Sequence, residues 1–237
     1  MSQYSDQVAV ITGAAGALGR AVVAHFQRGG AKITAIDIST ETLDRAFPER
    51  ASDSDGLYLP ADLTDRDACQ QAAQAIQDRF GRIDILANIA GGFIMGEPVH
   101  GTSDKTWNFL FDLNVRSVMH MAAATVPLML PNERGKIINI AARAAVKGGR
   151  NMGAYCASKS GVMRITESMA AELRDKGINV NCIMPGTIDT ARNRADMPNA
   201  RHDKWVDPAD IANVIGFLSS DAASAVHGAA IAVDGLS

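Results

Sequence analysis

The chain has 237 residues, 47% of them hydrophobic and 21% charged, with a formal net charge of -3; this suffices for one α/β domain and its core and gives no reason to expect nucleic acid or an anionic membrane as partner. No apolar run approaches the roughly 20 residues that span a bilayer, and the opening Met1-Ser2-Gln3-Tyr4-Ser5-Asp6 lacks the basic and apolar regions of a signal peptide. Cys69, Cys156 and Cys182 form neither a CxxC motif nor a disulfide framework, and the five histidines lack metal-ligand spacing, so a reducing, cytoplasmic setting with no metal is expected.

Along the chain, short β-branched apolar runs alternate with longer helical patterns. Val8-Ala9-Val10-Ile11 reads as a buried strand ending at Thr12-Gly13, and 17–28 as a helix closed by Gly29-Gly30. Strands follow at 32–36, ending at Asp37, and at 56–60. Asp62 and a helix running to Phe80 come next, with Gly81 as the stop. Then come a strand over 83–89, a turn at Ala90-Gly91-Gly92, and a long helix over 104–129 expected to bend near Pro127. The remainder reads as strand 137–141, helix 155–176, strand 178–184, helix 208–219 opened by Pro208, and strand 229–233. Strands alternating with helices through short loops imply a single-domain, doubly wound α/β fold over 1–237, a parallel sheet of about seven strands with helices on both faces. Ligands of such sheets bind at the carboxyl ends of the strands, near the switch in strand order. The 12–19 turn, Asp37, Asp62, Asn88, Ala142 and Pro185-Gly186 all fall there.

Thr12-Gly13-Ala14-Ala15-Gly16-Ala17-Leu18-Gly19 lies between the first strand and the first helix. Glycines let the backbone turn tightly and let a pyrophosphate approach the helix amino terminus, whose free N–H groups and dipole favour an anion. Asp37 ends the next strand, where a carboxylate can accept both ribose hydroxyls of an adenosine and repel a 2′-phosphate. Ile38-Ser39-Thr40 brings no cation after it. The expected cofactor is NAD (NADH), with NADP disfavoured.

Tyr155 and Lys159, in Tyr155-Cys156-Ala157-Ser158-Lys159, stand four apart and share one helix face. An ammonium beside a phenol stabilises the phenolate, so Lys159 is expected to lower the Tyr155 pKa and make it a general acid/base.

From Val8 to Gly235 the chain resembles the short-chain dehydrogenase/reductase family. The matching pieces are Thr12 to Gly19, Asp62-Leu63, Asn88-Ile89-Ala90-Gly91, Asn114, Tyr155 with Lys159, and Pro185-Gly186-Thr187-Ile188-Asp189-Thr190. The resemblance implies an NAD-binding Rossmann domain with a short substrate loop at about 187–206, carried by the family likeness alone. It places Gly13, Gly16, Ala17, Leu18 and Gly19 at the phosphates, Asp62 and Leu63 at the adenine, and Asn88, Ala90 and Gly91 beside the adenosine ribose. Pro185, Gly186, Ile188 and Thr190 fall at the nicotinamide carboxamide. Lys159 would bind the nicotinamide ribose, and Asn114 would kink its helix and anchor a water relaying protons to Lys159. By itself Asn114 is only a polar residue in an apolar helix.

Some positions depart from the family pattern. Ala17 stands where the phosphate loop usually has its middle glycine, and Ile89 replaces a second asparagine. Thirteen residues before the tyrosine, where the family has a serine that hydrogen-bonds the substrate oxygen, Ile140-Ala141-Ala142-Arg143 puts Ala142. Alanine can neither donate nor accept that bond, a loss on the order of 3 kcal/mol in a carbonyl-reduction barrier. A dihydropteridine-reductase-like branch shares the absence, and Gly16-Ala17-Leu18-Gly19, Ala142-Arg143-Ala144-Ala145, Asn193-Arg194, Met197-Pro198 and Trp205 are similar to it. A quinonoid pterin takes hydride into a delocalised ring, so no single oxyanion needs the serine.

Three readings stand open. The first is NAD(H)-dependent hydride transfer to a quinonoid pterin or similar conjugated substrate, with Tyr155 as acid/base. The second is a secondary alcohol dehydrogenase or ketone reductase with Asn151 or a water replacing the serine. The third is a non-catalytic NAD(H)-binding sensor or scaffold. Between 191 and 205, Arg192, Arg194, Arg201 and Lys204 outnumber Asp196 and Asp203, and Arg192 and Trp205 are expected to face a polar or anionic substrate. Partners are limited to a small molecule and further copies of the chain, a dimer or homotetramer built on the 104–129 and 155–176 helices, as the resemblance implies.

Overall fold

The computed structural model describes residues 3–236; Met1, Ser2 and Ser237, at the ends of the expected 1–237 domain, lie outside the described residues. Seven strands form one sheet in the order β3-β2-β1-β4-β5-β6-β7, all neighbours parallel. They are β1 Val8–Thr12, β2 Lys32–Asp37, β3 Gly56–Pro60, β4 Ile85–Asn88, β5 Gly135–Ile140, β6 Ile178–Pro185 and β7 Ala230–Val233. Every residue of β1, β4, β5 and β6 is buried, the pattern of strands covered on both faces. The order reverses between β1 and β4, which opens the crevice the sequence analysis expects.

Helices cover both faces. Helix α1, Ala17–Arg28, packs Leu18, Val22, Val23 and Phe26 on one face of the sheet. That stripe recurs at helical spacing, and it meets Ala9, Ile11, Ile33 and Ala35, the strand residues that alternate to the same side. Each fully buried side chain of this size contributes about 1.5–3 kcal/mol. Helix α2, Thr40–Ala46, follows β2. On the opposite face Val8, Val10 and Ile36 meet Cys69, Ala72 and Ile76 of α3, Arg66–Phe80.

Most elements form where expected, and α1 matches the expected bounds. Helix α2 was not anticipated. Ser39 caps it by accepting from Thr42 N at 3.2 Å, but it buries only Leu43, so no periodic stripe marks it in the sequence. The strand expected over 83–89 is shorter. At its start the Asp84 carboxylate takes the Val8 N–H at 2.9 Å, and at its end Thr12 Oγ1 takes the Ile89 N–H at 3.0 Å, so side chains replace ladder bonds.

The long helix expected over 104–129 is interrupted. It divides into α4 Asp104–Phe111, a π turn at Asp112–Arg116, and α5 Ser117–Met129. The departure from α geometry falls at Asn114, with Pro127 lying inside the last turn of α5. The cause is the Asn114 amide, which bonds outside its own helix to Gly92; π turns of this kind gather at functional sites. Helix α6, Gly153–Leu173, starts ahead of Tyr155 and tightens into a 3-10 turn at Arg174–Lys176. Helix α7, Ala191–Asp196, lies within the 187–206 loop, and α8, Pro208–Ser219, has the expected bounds. Among the described residues no helix is long and apolar enough to cross a membrane.

At the amino ends of β5 and β6, away from the crevice, sits a buried polar knot. Lys136 Nζ donates to Asn179 Oδ1 at 2.8 Å, and Asn179 Nδ2 donates to Ser224 O at 2.9 Å and Val226 O at 3.0 Å. Burial drags the Lys136 ammonium below its ordinary pKa. Asn179→Ala leaves that ammonium without its acceptor, at about 2–4 kcal/mol, so thermal unfolding should drop by roughly 5–10 °C with unchanged kinetics of the folded enzyme. An unchanged midpoint would show the knot to be inert.

Candidate active site

The carboxyl ends of β1, β2, β4, β5 and β6 bring the candidate residues together. Gly13, with φ of 61°, turns the chain out of β1; a methyl there would lie 2.8 Å from Ala90 Cα, so the turns after β1 and β4 touch. Gly19 presses α1 on the same turn, since its methyl would meet Gly13 O. Gly16 is the extended residue ahead of α1, with no side-chain cap and no acidic residue in the first turn. The first N–H groups of α1 are therefore left to an anion. Ala17, half-buried, opens the helix, and Leu18 is buried in the core.

Asp37 Oδ2 accepts the Ala15 N–H at 2.9 Å, while Oδ1 accepts Ile38 N–H at 2.9 Å and Thr42 Oγ1–H at 3.2 Å. Three donors leave one site on a carboxylate with about four, room for one ribose hydroxyl rather than the two expected. Thr12 Oγ1 receives the N–H groups of Ile89 at 3.0 Å and Ala90 at 3.2 Å. Asn88 is turned inward, donating to Asn139 Oδ1 at 2.9 Å, and supports the crevice floor from beneath. Asp62 is exposed and caps its own turn through Thr64, and Leu63 is buried. This set fits a dinucleotide: a bare helix amino terminus, a carboxylate at the end of β2, and a turn at Gly13 that a side chain would fill.

Tyr155 and Lys159 lie one turn apart on α6. Lys159 is 5% exposed, and its Nζ donates to Ile140 O at 2.8 Å. A methyl on Gly91 would fall 3.0 Å from Asn114 Oδ1 and 3.1 Å from Lys159 Nζ, so Gly91, Asn114 and Lys159 meet. The expected lowering of the phenol is not what forms. Burial pushes Tyr155 up to about 12, with the neighbouring Cys156 adding to it, and burial brings Lys159 down to about 8. The ammonium is spent on a β5 carbonyl, so desolvation decides both values.

Asn114 stands at the break in its helix, where the resemblance puts a kink. Its Oδ1 accepts Gly92 N–H at 2.8 Å, and its Nδ2 donates to Gly92 O and to Ser158 Oγ, each at 3.0 Å. The amide holds the turn after β4 in place. Ala142 is buried and extended at the end of β5. The α6 hydroxyls beside it are committed: Ser158 donates to Tyr155 O at 2.8 Å and Ser160 to Ala145 O at 2.6 Å.

The loop after β6 is tied at its base, with Val206 N–H donating to Thr187 O at 2.9 Å and Asp189 N–H to Val206 O at 2.8 Å. Pro185 and Gly186 end β6, where Gly186 N–H reaches Val233 O. Ile188 bridges to Val206, and Thr190 caps α7 by accepting Asn193 N–H at 3.1 Å. The cationic surplus expected here is largely cancelled, because Arg194 pairs with Asp189, Arg201 with Asp203 and Arg192 with Asp196. Asp189 sits two residues from the counted segment, and the sequence tally missed it. Trp205 packs on His202 with ring centroids 4.4 Å apart. Asn151, at φ of 57°, gives its carbonyl to Gly96 N–H at 2.9 Å. Phe93 was also missed: its ring meets Tyr155 edge-on, 4.8 Å between centroids at 89°, and no motif marks it.

The sequence profile of the short chain dehydrogenase family matches residues 7–200. A 2-dehydro-3-deoxy-D-gluconate 5-dehydrogenase of Escherichia coli is 37% identical, over 97% of this chain and 94% of its own. A 3-oxoacyl-(acyl-carrier-protein) reductase of Thermotoga maritima is 32% identical over 98% of both chains. The crystal structure of a levodione reductase superposes with a TM-score of 0.90 at 29% identity, covering 98% of this chain and 97% of that one.

Lys159 carries a two-sided prediction. Its value of about 8, against an ordinary 10.5, means the unfolded chain holds a proton between those limits that the folded chain has lost. The cost of burying the charge is therefore full below pH 8 and fades as pH rises to 10.5. Lys159→Met removes a cost of about 3 kcal/mol, offset in part by the lost bond to Ile140 O, and should raise the unfolding midpoint at pH 7 by about 5 °C while abolishing turnover. A lower midpoint would show the ammonium to be stabilising.

Proposed function

The chain belongs to the short-chain dehydrogenase family, and on that premise we propose that it is an NAD(H)-dependent oxidoreductase with Tyr155 as general acid, acting on a substrate that delocalises incoming charge, of quinonoid pterin type. The observation that carries this reading is the pairing of an intact Tyr155–Lys159–Asn114 set with a methyl, Ala142, where a hydroxyl is usual. A nicotinamide cofactor supplies the hydride when bound.

The chain's own residues divide the remaining tasks. The α1 amino terminus and Gly13 to Gly19 hold the phosphates, and Asp37 holds the adenosine ribose and repels a 2′-phosphate. Lys159 keeps two ammonium donors beyond the one given to Ile140 O, enough for a pair of ribose hydroxyls. Tyr155, raised to about 12, is a neutral phenol at pH 7 and holds the proton that reduction consumes. Lys159 is the neighbour whose value, about 8, best suits returning it. Ile188 and Thr190 stand at the nicotinamide end, and the 187–206 loop covers the substrate from water.

A second reading, reduction of a ketone or oxidation of a secondary alcohol with a water or Asn151 in the serine's place, is favoured by the relatives, which are named for a 3-oxoacyl substrate and for 2-dehydro-3-deoxy-D-gluconate. Both readings carry a homo-oligomer, a homotetramer built on α4, α5 and α6, supported by exposed Trp107, Phe109 and Met119.

NADH oxidation with quinonoid dihydropterin, run beside a panel of ketones, separates the readings. Tyr155→Phe should cut turnover on the order of a hundredfold or more, and retained activity would remove Tyr155 from the chemistry. Ala142→Ser should leave pterin turnover unchanged or lower; a gain of about tenfold or more on a ketone would favour the second reading. For the cofactor, Asp37→Ser should raise the KM for NADH and admit NADPH, whereas NADPH preference in the native enzyme would overturn the assignment.

A further inference from the structure

The segment after β4 is anchored at both ends. Gly92 is clamped by both polar atoms of the Asn114 amide, with Phe109 and Leu113 about 3.0 Å from where its methyl would stand. Gly96 N–H donates to Asn151 O at 2.9 Å, just ahead of α6. Between the anchors run Phe93, Ile94 and Met95, exposed by 50%, 36% and 55%. Phe93 meets the Tyr155 ring at a right angle, 4.8 Å between centroids, so the phenol lies against an aromatic ring that is itself half exposed. A large apolar side chain held open to solvent beside a half-buried phenol marks a binding surface. The Phe93 ring offers a substrate ring or hydrocarbon contact, and it offers a polyol no hydrogen bond.

We propose that Phe93 is the specificity-determining residue of this site: it selects substrates whose reacting carbon lies in or beside a ring and disfavours open-chain polyhydroxylated ones. This rests on the functional reading above, because it presumes that the substrate meets Tyr155. A ring lying along Phe93 gains apolar burial and aromatic contact. A polyhydroxylated chain there must shed water from hydroxyls that find no partner on the Phe93 ring.

The test is saturation-transfer NMR with cyclohexanone and L-erythrulose, with and without NAD+, on the native enzyme, Phe93→Ala and Phe93→Trp. The native enzyme should prefer cyclohexanone by about tenfold or more, Phe93→Ala should bring the two within about twofold, and Phe93→Trp should keep the preference. A ratio unchanged in Phe93→Ala, a native preference for erythrulose, or binding of neither would each overturn the assignment. With quinonoid dihydropterin and NADH, Phe93→Ala should raise KM far more than it lowers kcat. Failure of the functional reading has a separate signature, NADH oxidation that survives Tyr155→Phe.

Discussion

One amide organises the substrate side of this molecule. Asn114 receives the N–H of Gly92 at 2.8 Å and returns its own N–H to the carbonyl of the same residue at 3.0 Å. A side chain satisfied in this way by a neighbouring loop draws its helix out of α register, and the π turn at Asp112–Arg116 results. The same pair of bonds stations Gly91 between Asn114 and Lys159 and sets Phe93 on Tyr155. Ser158 Oγ, the third partner of the amide, carries the constraint into α6. The turn after β4, the broken helix and the helix bearing the reactive pair thus share one small polar junction, buried enough that an unmade bond costs its full desolvation penalty.

Burial sets the charge state of the reactive pair. It drives Tyr155 upward and Lys159 downward, in each case towards the uncharged form. A phenol raised in this way holds its proton at neutral pH. The lysine lies close enough to neutrality to act on either side of a proton transfer. A buried ammonium with a single carbonyl partner is costly for stability.

The regular parts of the fold were legible because they obey period rules. Val8-Ala9-Val10-Ile11 is apolar on both faces as a central parallel strand must be, and Pro208 opens α8 where proline costs nothing. The glycine turn and Asp37 were legible by position, at the ends of consecutive strands. What escaped depends on contacts distant in sequence. The family resemblance marks Asn114 as the residue that bends its helix, but nothing local says that its amide is met by Gly92. The Tyr155–Lys159 spacing puts the two on one face, but which way the ammonium turns depends on the Ile140 carbonyl at the end of β5. Counting cations between 191 and 205 overlooked that Arg192, Arg194 and Arg201 each find a carboxylate within a few residues. Phe93 carries no motif, only an aromatic ring after two glycines.

The absent hydroxyl and the Phe93 ring point the same way. With Ala142 in the serine's position and Ser158 and Ser160 donating to backbone carbonyls, Tyr155 is the donor available to the reacting atom. Against its ring stands Phe93, 4.8 Å between centroids. An oxyanion concentrated on one atom in such a setting is expensive, because a weakly polar surrounding supplies few dipoles to receive it. The cost falls if the substrate spreads the charge over its own ring while the hydride arrives, and a ring is also the shape that a flat apolar side chain holds best. On the proposed reading, Ala142 and Phe93 then suit one kind of substrate, in which delocalisation within the ligand takes over the stabilisation that an oriented hydroxyl would provide.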